Sequence, residues 1–405
     1  MEFKKYNHLK EESRISQFWI KKGCFKPKKG KTKKTFSVVI PPPNVTGRLH
    51  MGHALNNSLQ DVLVRFNRMQ GKETLWQPGT DHAGIATQAV VEKNLEKEGL
   101  KKVDLGRENF IKKIWKWKDK SGGEILNQLR KLGCSCDWSR TRFTMDKDFS
   151  EAVIKVFVDL YNKKLIYKDK KLVNWDTSLQ TAISDLEVVQ KETHSNLYFI
   201  DYQIENSVEK ITIATTRPET MMGDTAIAVN PKDERYINLI GKNVKIPLVN
   251  RSIKIITDHY ADPEQGSGAV KITPAHDFND YIVGKRNKLE TINILEKDGK
   301  INKNGIKEFI GLDRFEARKL IVNKLKEINQ LVKIEQIKNK VPYGDRSNTI
   351  IEPLLTEQWF VNAKSLSKEP VKIVKKGKTI FYPENWEKTF FQWMNEIEPW
   401  CISRQ

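Results

Sequence analysis

The chain has 405 residues, 38% of them hydrophobic and 30% charged, a balance that suits two or three globular domains and excludes a low-complexity polymer. A formal charge of +20 suggests a polyanionic partner, nucleic acid first, although the lysines are spread so evenly that much of it reads as scattered solvated charge. Four cysteines (Cys24, Cys134, Cys136, Cys401) make neither a disulfide framework nor a tetrahedral metal set, and no apolar signal core or membrane-length run is present, so a cytoplasmic protein is expected.

Residues 1–35 read as an amphipathic helical lead-in that ends in a basic, solvated run at 26–34. Residues 36–40 are β-branched and apolar, which predicts a buried strand. Pro41, Pro42 and Pro43 then forbid both helix and ladder donation and force an extended exit. From His53 onward Leu55, Leu59, Val62, Leu63 and Phe66 share one helical face, Gly71 supplies the stop, and 73–77 reads as a second strand. Residues 36–80 thus open a doubly wound sheet with a βαβ unit. Residues 84–190 read as mostly helical, at 86–98, 107–132 and 148–163, with Trp115, Trp117 and Trp138 as packing residues. At Asn196 the period changes to two, and short strands are expected at 197–204, 210–215, 225–229, 244–248, 253–256 and 269–272, as in a small β-barrel. Helix returns at 307–330 and 386–396, while 354–361 and 379–382 read as strands rejoining the first sheet. The expected plan is an α/β fold interrupted by an all-β insertion, divided at 1–35, 36–190, 191–340 and 341–405.

The densest signal is His50-Met51-Gly52-His53, placed where the first strand turns into a helix. Free backbone N–H groups and the positive end of the helix dipole make such a corner a phosphate site. Two imidazoles one turn apart can donate to phosphoryl oxygens, and Gly52 lets a flat ligand approach the backbone. The flanks are Pro41-Pro42-Pro43-Asn44-Val45-Thr46-Gly47 and, beyond the helix, Gly79-Thr80-Asp81-His82-Ala83-Gly84-Ile85-Ala86-Thr87-Gln88. Together these residues resemble the His-x-Gly-His signature of the class I aminoacyl-tRNA synthetases, and the flanks are similar to the valyl branch rather than the isoleucyl one.

The resemblance runs over the whole of 1–405 and implies the first half of a Rossmann-like catalytic domain interrupted by a β-barrel editing domain. It implies a monomeric ligase that joins valine to tRNA(Val) through valyl-adenylate, with ATP and Mg2+. His50 and His53 would be the catalytic donors, with Gly52 beside them in ATP binding. Pro42, Asn44 and Asp81 would line the amino acid, with Asp81 against its ammonium. Some relatives carry cysteine pairs at the edges of the insertion. Asn174-Trp175-Asp176-Thr177 and Pro342-Tyr343-Gly344-Asp345 stand there instead, so no structural zinc is expected. The resemblance also implies, past Gln405, a second nucleotide-binding half with a Lys-Met-Ser-Lys-Ser loop and an anticodon-binding domain, so these 405 residues alone are expected to be inactive in synthesis.

A second constellation joins the hydroxyl-rich segment 214–220 to 266–280. Hydroxyls, Arg, Lys and carboxylates gathered on turns are costly unless something polar binds there. By resemblance this is the editing pocket, built from Thr216, Arg217, Thr220, Lys271, Thr273, Asp277 and Asp280. Asp277 would hold the ammonium of a misattached residue, Thr220 and Thr273 its hydroxyl, Arg217 and Lys271 the tRNA terminus, and Asp280 would orient the site. No Ser/His or Cys/His pair offers a nucleophile, so water attack on the ester is expected, and His276 and His259 read as structural. A hydrophobic valine pocket rejects the isosteric threonine poorly, a general point about valine enzymes rather than a reading of these residues. Two other readings stay open: an editing-only aminoacyl-tRNA deacylase, which would not need His50, His53 and Asp81, and a non-catalytic tRNA-binding protein, in which they would be free to decay.

Overall fold

A computed structural model describes residues 7–27, 30 and 34–405, and the chain divides into two compact units, Met1–Asp159 and Leu160–Gln405. The basic run expected at 26–34 lies mostly outside the described residues.

The first unit runs α1 (His8–Lys21), β1 (Thr35–Val39), α2 (Met51–Met69), β2 (Glu73–Gln77), β3 (Gly79–Thr80), α3 (Ile85–Lys97), α4 (Lys102–Lys131), β4 (Arg142–Phe143) and α5 (Lys147–Asn162), whose last turn crosses the unit boundary. β1 and β2 pair in parallel with α2 as the crossover between them, the expected βαβ opening. β3 pairs with β4, also in parallel. α4 is two helices merged across Gly106, whose φ of 70° suits a residue without Cβ. The core gathers Ile40, Val45, Val64, Trp76, Ile125 and Leu129, each essentially fully buried and contributing about 1.5–3 kcal/mol per aliphatic side chain. Cys134 and Cys136 belong to this core, and burial pushes the Cys134 thiol up to about 12.

The second unit continues with β5 (Ile166–Asp176), β6 (Thr181–Ile183), β7 (Val188–Ile204), β8 (Lys210–Thr215), β9 (Ala226–Val229), β10 (Asn243–Lys245), β11 (Ser252–Thr257) and β12 (Ala269–Ile272). Then come α6 (Phe278–Arg286), α7 (Arg314–Glu327), β13 (Leu331–Gly344), β14 (Glu352–Val361), α8 (Ala363–Leu366), α9 (Lys368–Lys375), α10 (Trp386–Glu396) and β15 (Trp400–Cys401). Seven strands form one sheet in the order β12-β9-β11-β10-β7-β13, with β8 also on β7, and the sheet curls until β12 lies beside β8. Its core is Ile-rich, as the period-two pattern requires, and centres on Ile200, Tyr202, Ile211, Ile213, Ile227 and Val229. β15-β14-β5-β6 form a second sheet whose strands flank the seven-stranded one in sequence, so the latter is topologically an insertion.

Three expectations need correction. Residues 166–183, read as part of a helical stretch, hold β5 and β6. The returning strand β14 pairs with β5 and β15, not with the β1–β2 sheet. Residues 379–382 form no strand. Among the described residues no helix is long and apolar enough to cross a membrane.

Candidate functional site

The first unit builds its site at the corner between β1 and α2. The prolines carry the chain out extended, and Val45 N–H donates to Asp81 O at 3.0 Å while Asp81 N–H donates to Pro43 O at 2.9 Å. This parallel bridge fastens Asn44 to Asp81. His50 then caps α2: its Nδ1 accepts the Gly52 N–H at 3.1 Å, while His53 Nδ1 accepts the His50 N–H at 3.3 Å. An Nδ1 that accepts leaves the ring proton on Nε2, so both imidazoles are set as outward Nε2–H donors. The rings lie 4.0 Å apart, and burial together with the neighbouring His50 lowers the His53 pKa, which favours the neutral form. Gly52 has a packing reason that differs from the expected ligand approach: a Cβ there would stand 3.0 Å from His50 Cε1.

A cavity of about 470 Å³ opens here, lined by Pro42, Asn44, His50, Gly52 and His53 among others. Asp81 stands off that lining, tied to it through Asn44. Its Oδ1 accepts from Ala83 N–H at 2.9 Å and from Thr144 Oγ1 at 3.3 Å. Thr144 in turn accepts the His82 N–H at 2.9 Å and lies 2.6 Å from His82 Nδ1. Thr144 is a part of this site that sequence reasoning missed. It sits far along the chain, after β4, and only the β3–β4 pairing brings it to Asp81.

The seven expected editing residues fall into two groups. Thr216, Arg217 and Asp277 line an open cavity of about 1070 Å³, together with His276, Arg318 and Glu352. Asp277 caps α6, its Oδ1 accepting from Asn279 N–H at 2.8 Å and Asp280 N–H at 3.1 Å. Thr220, Lys271, Thr273 and Asp280 are instead buried as a cluster off that lining. Lys271 Nζ donates to Thr220 Oγ1 at 2.9 Å, to Asp224 Oδ1 at 3.0 Å and to Thr273 Oγ1. All three of its protons are committed, which gives Lys271 an internal role in place of the tRNA contact that the resemblance implied. Thr273 Oγ1 passes its own proton to Asp224 at 2.6 Å, and Thr220 to the Arg217 carbonyl at 2.9 Å. Asp224 also accepts from Tyr202 at 2.7 Å. Burial, then the charge of Asp277, pushes the Asp280 carboxyl up to about 7, while its Oδ2 accepts the Thr273 N–H at 2.8 Å.

Arg217 is held by carboxylates. It precedes the short turn Pro218–Gly223, its Nη2 pairs with Glu352 and its Nε lies 3.4 Å from Glu219. Glu219, fully buried, is gripped bidentately by Arg318 at 2.7 Å; burial would raise its carboxyl, but Arg318 and Arg217 bring it below the usual range. His276 accepts the Ile294 N–H at Nε2 over 3.0 Å, and burial, with Arg217 and Lys271 nearby, keeps it neutral. Tyr202, Asp224, Glu352 and Arg318 were missed; their signal is an ion-pair and hydrogen-bond set that only tertiary contacts assemble. Among the described residues no cluster of His, Cys, Asp or Glu is arranged to hold a metal ion.

A family model described as tRNA synthetases class I (I, L, M and V) matches residues 14–405. Among curated proteins, the chain is 67% identical over 401 residues to one from Pelagibacter ubique named "Valine--tRNA ligase", covering 99% of this chain and 46% of that protein. Proteins of the same name from Rhodopseudomonas palustris and Francisella tularensis are 55% and 53% identical, each over 99% of this chain and 45% and 44% of theirs. The chain spans about half the length of the curated relatives it matches. A solved ternary complex of LeuRS, tRNA and LeuAMS from Agrobacterium radiobacter gives a TM-score of 0.42 at 20% identity, over 86% of this chain and 49% of that one.

Proposed function

We propose, since the chain belongs to the class I tRNA synthetases (I, L, M and V), that its first unit carries the valine-activating site of a valine–tRNA ligase and its second the hydrolytic editing site. The observation that carries the synthetic half is the reciprocal cap at His50 and His53, which turns two Nε2–H donors outward beside the 470 Å³ cavity. The valine carboxylate attacks the α-phosphorus of ATP, supplied with Mg2+, pyrophosphate leaves, and the two imidazoles stabilise charge on the phosphoryl oxygens. Gly52 leaves room for the His50 ring, Pro42 and Asn44 wall the amino acid, and Asp81, set behind that wall and joined to it through Asn44, supplies the counter-charge of the substrate ammonium. The valyl group then passes to tRNA(Val). The names of the relatives support valine over isoleucine or leucine.

In the second unit a wrongly attached threonyl ester is hydrolysed by water. Thr216, Arg217 and Asp277 receive the ester and its ammonium at the open cavity. Thr220, Thr273 and Asp280, locked by Lys271 and Asp224, shape the pocket behind them. The whole protein works as a cytoplasmic monomer.

The test is valine-dependent ATP–pyrophosphate exchange by the full-length protein, in which Asp81→Ala should raise the valine KM sharply by removing the counter-charge of the ammonium. Preferential exchange with isoleucine would overturn the assignment. Hydrolysis of threonyl-tRNA should vanish in Asp277→Ala.

A further inference from the structure

Resting on the hydrolytic reading of the second unit, we propose that Glu352 is the positioning residue that sets Arg217 on the wall of the editing cavity. The site is then completed by the returning strand β14, outside the expected insertion 191–340, and not by the insertion alone.

The donors of Arg217 can be accounted for one by one. Its Nη1 donates to the His276 carbonyl at 2.9 Å, its Nη2 to Glu352, and its Nε lies 3.4 Å from Glu219. A guanidinium carries five N–H groups, so two remain. The side chain is 26% exposed and belongs to the cavity lining, so those two are offered to a ligand there. Of the two carboxylates, Glu219 is already taken bidentately by Arg318 at 2.7 Å, and its hold on Arg217 is residual. Glu352 is therefore the group that aims the guanidinium. It is itself fixed: buried at the first residue of β14, with the Trp175 backbone as its strand partner and Arg314 Nε 2.8 Å from its other oxygen. A carboxylate held by the four-stranded sheet thus sets an arginine that follows β8 of the seven-stranded one.

The test compares the 405-residue chain with Glu352→Gln, which keeps the shape and removes the charge. Two readouts are taken: modification of each arginine by phenylglyoxal, located by peptide mass spectrometry, and hydrolysis of threonyl-tRNA. Arg235, half exposed and paired within its own turn to Asp233, serves as the internal standard. In the folded variant, Arg217 modification relative to Arg235 should rise about threefold or more, and kcat/KM for hydrolysis should fall about tenfold, mainly through KM. Should Glu352→Gln lose its cooperative melt, Glu352→Asp carries the test, with the same two changes at smaller amplitude. An unchanged Arg217 modification overturns the proposal, and so does raised modification with hydrolysis unaltered. If the unsubstituted chain hydrolyses no threonyl-tRNA while the modification ratio still rises, the hydrolytic reading falls and the grip of Glu352 on Arg217 stands.

Discussion

Asp280 is the side chain whose titration the fold changes most usefully. Buried beside Asp277 and Asp224, its carboxyl titrates near about 7 instead of 3.8, so between those values the folded chain holds a proton that the unfolded chain has released. Its contribution to stability is therefore full below pH 3.8 and is lost as pH rises through about 7. The shift of about three pK units corresponds to roughly 4 kcal/mol at most. Denaturant midpoints at pH 5 and pH 8 should fall in the wild type and fall much less in Asp280→Asn; equal slopes in the two would refute the buried acid. At the other site, Gly52→Ala should drive a Cβ against the His50 ring. About a tenfold loss of kcat is expected, with less than about 1 kcal/mol lost in stability, as measured by pyrophosphate exchange and denaturant melts of the full-length protein. His50, Gly52 and His53 were legible because they are local, four residues at a strand–helix corner. Thr144, Asp224 and Glu352 were not, because each meets its partner across a long stretch of chain and carries no local pattern.

Helix α2 shows where periodicity stops being informative. The repeat at Leu55, Leu59, Val62, Leu63 and Phe66 correctly predicts a helix, yet those residues are exposed, and it is Asn57, Val64 and Asn67 that are buried. A hydrophobic period tells which residues share a face, not what that face meets. Leu59→Ser should accordingly cost less than about 0.5 kcal/mol in the 405-residue chain, whereas Val64→Ala, fully buried, should cost about 1–2 kcal/mol in denaturant melts. The same stripe should bind a hydrophobic dye, and paired Leu59→Ser and Phe66→Ser should lower that fluorescence. Strands β5 and β13 escaped reading for the opposite reason: lysines interrupt them, and both hold their place by pairing with distant partners, β14 and β7. The run at 379–382 misled because β-branched and aromatic residues promise a strand only where a ladder neighbour exists.

Across the whole molecule the surplus of basic residues, 71 Lys and Arg against 51 Asp and Glu, predicts salt-sensitive binding of tRNA. For about four neutralised phosphates, affinity should drop about a hundredfold between 50 and 200 mM salt, and a flat response would mean that the charge is dispersed solvation only. The change of period near Asn196 made a strand-rich stretch legible, although that stretch is not all-β, since it also carries α6 and α7; the division of the returning segment between sheets was not legible, since pairing partners are a tertiary choice. β7 and β13 run antiparallel from Leu331 beside Ile200 to Gly344 beside Val188, so the seven-stranded sheet leaves and re-enters its host one ladder rung apart. A two-residue turn could close that rung. The inserted sheet is thereby attached like a graft on a single stem, open to gain, loss or exchange in one genetic step without re-routing the host, and its removal would strip Glu352 of both Arg217 and Arg314 and the Trp175 indole N–H of the Lys297 carbonyl.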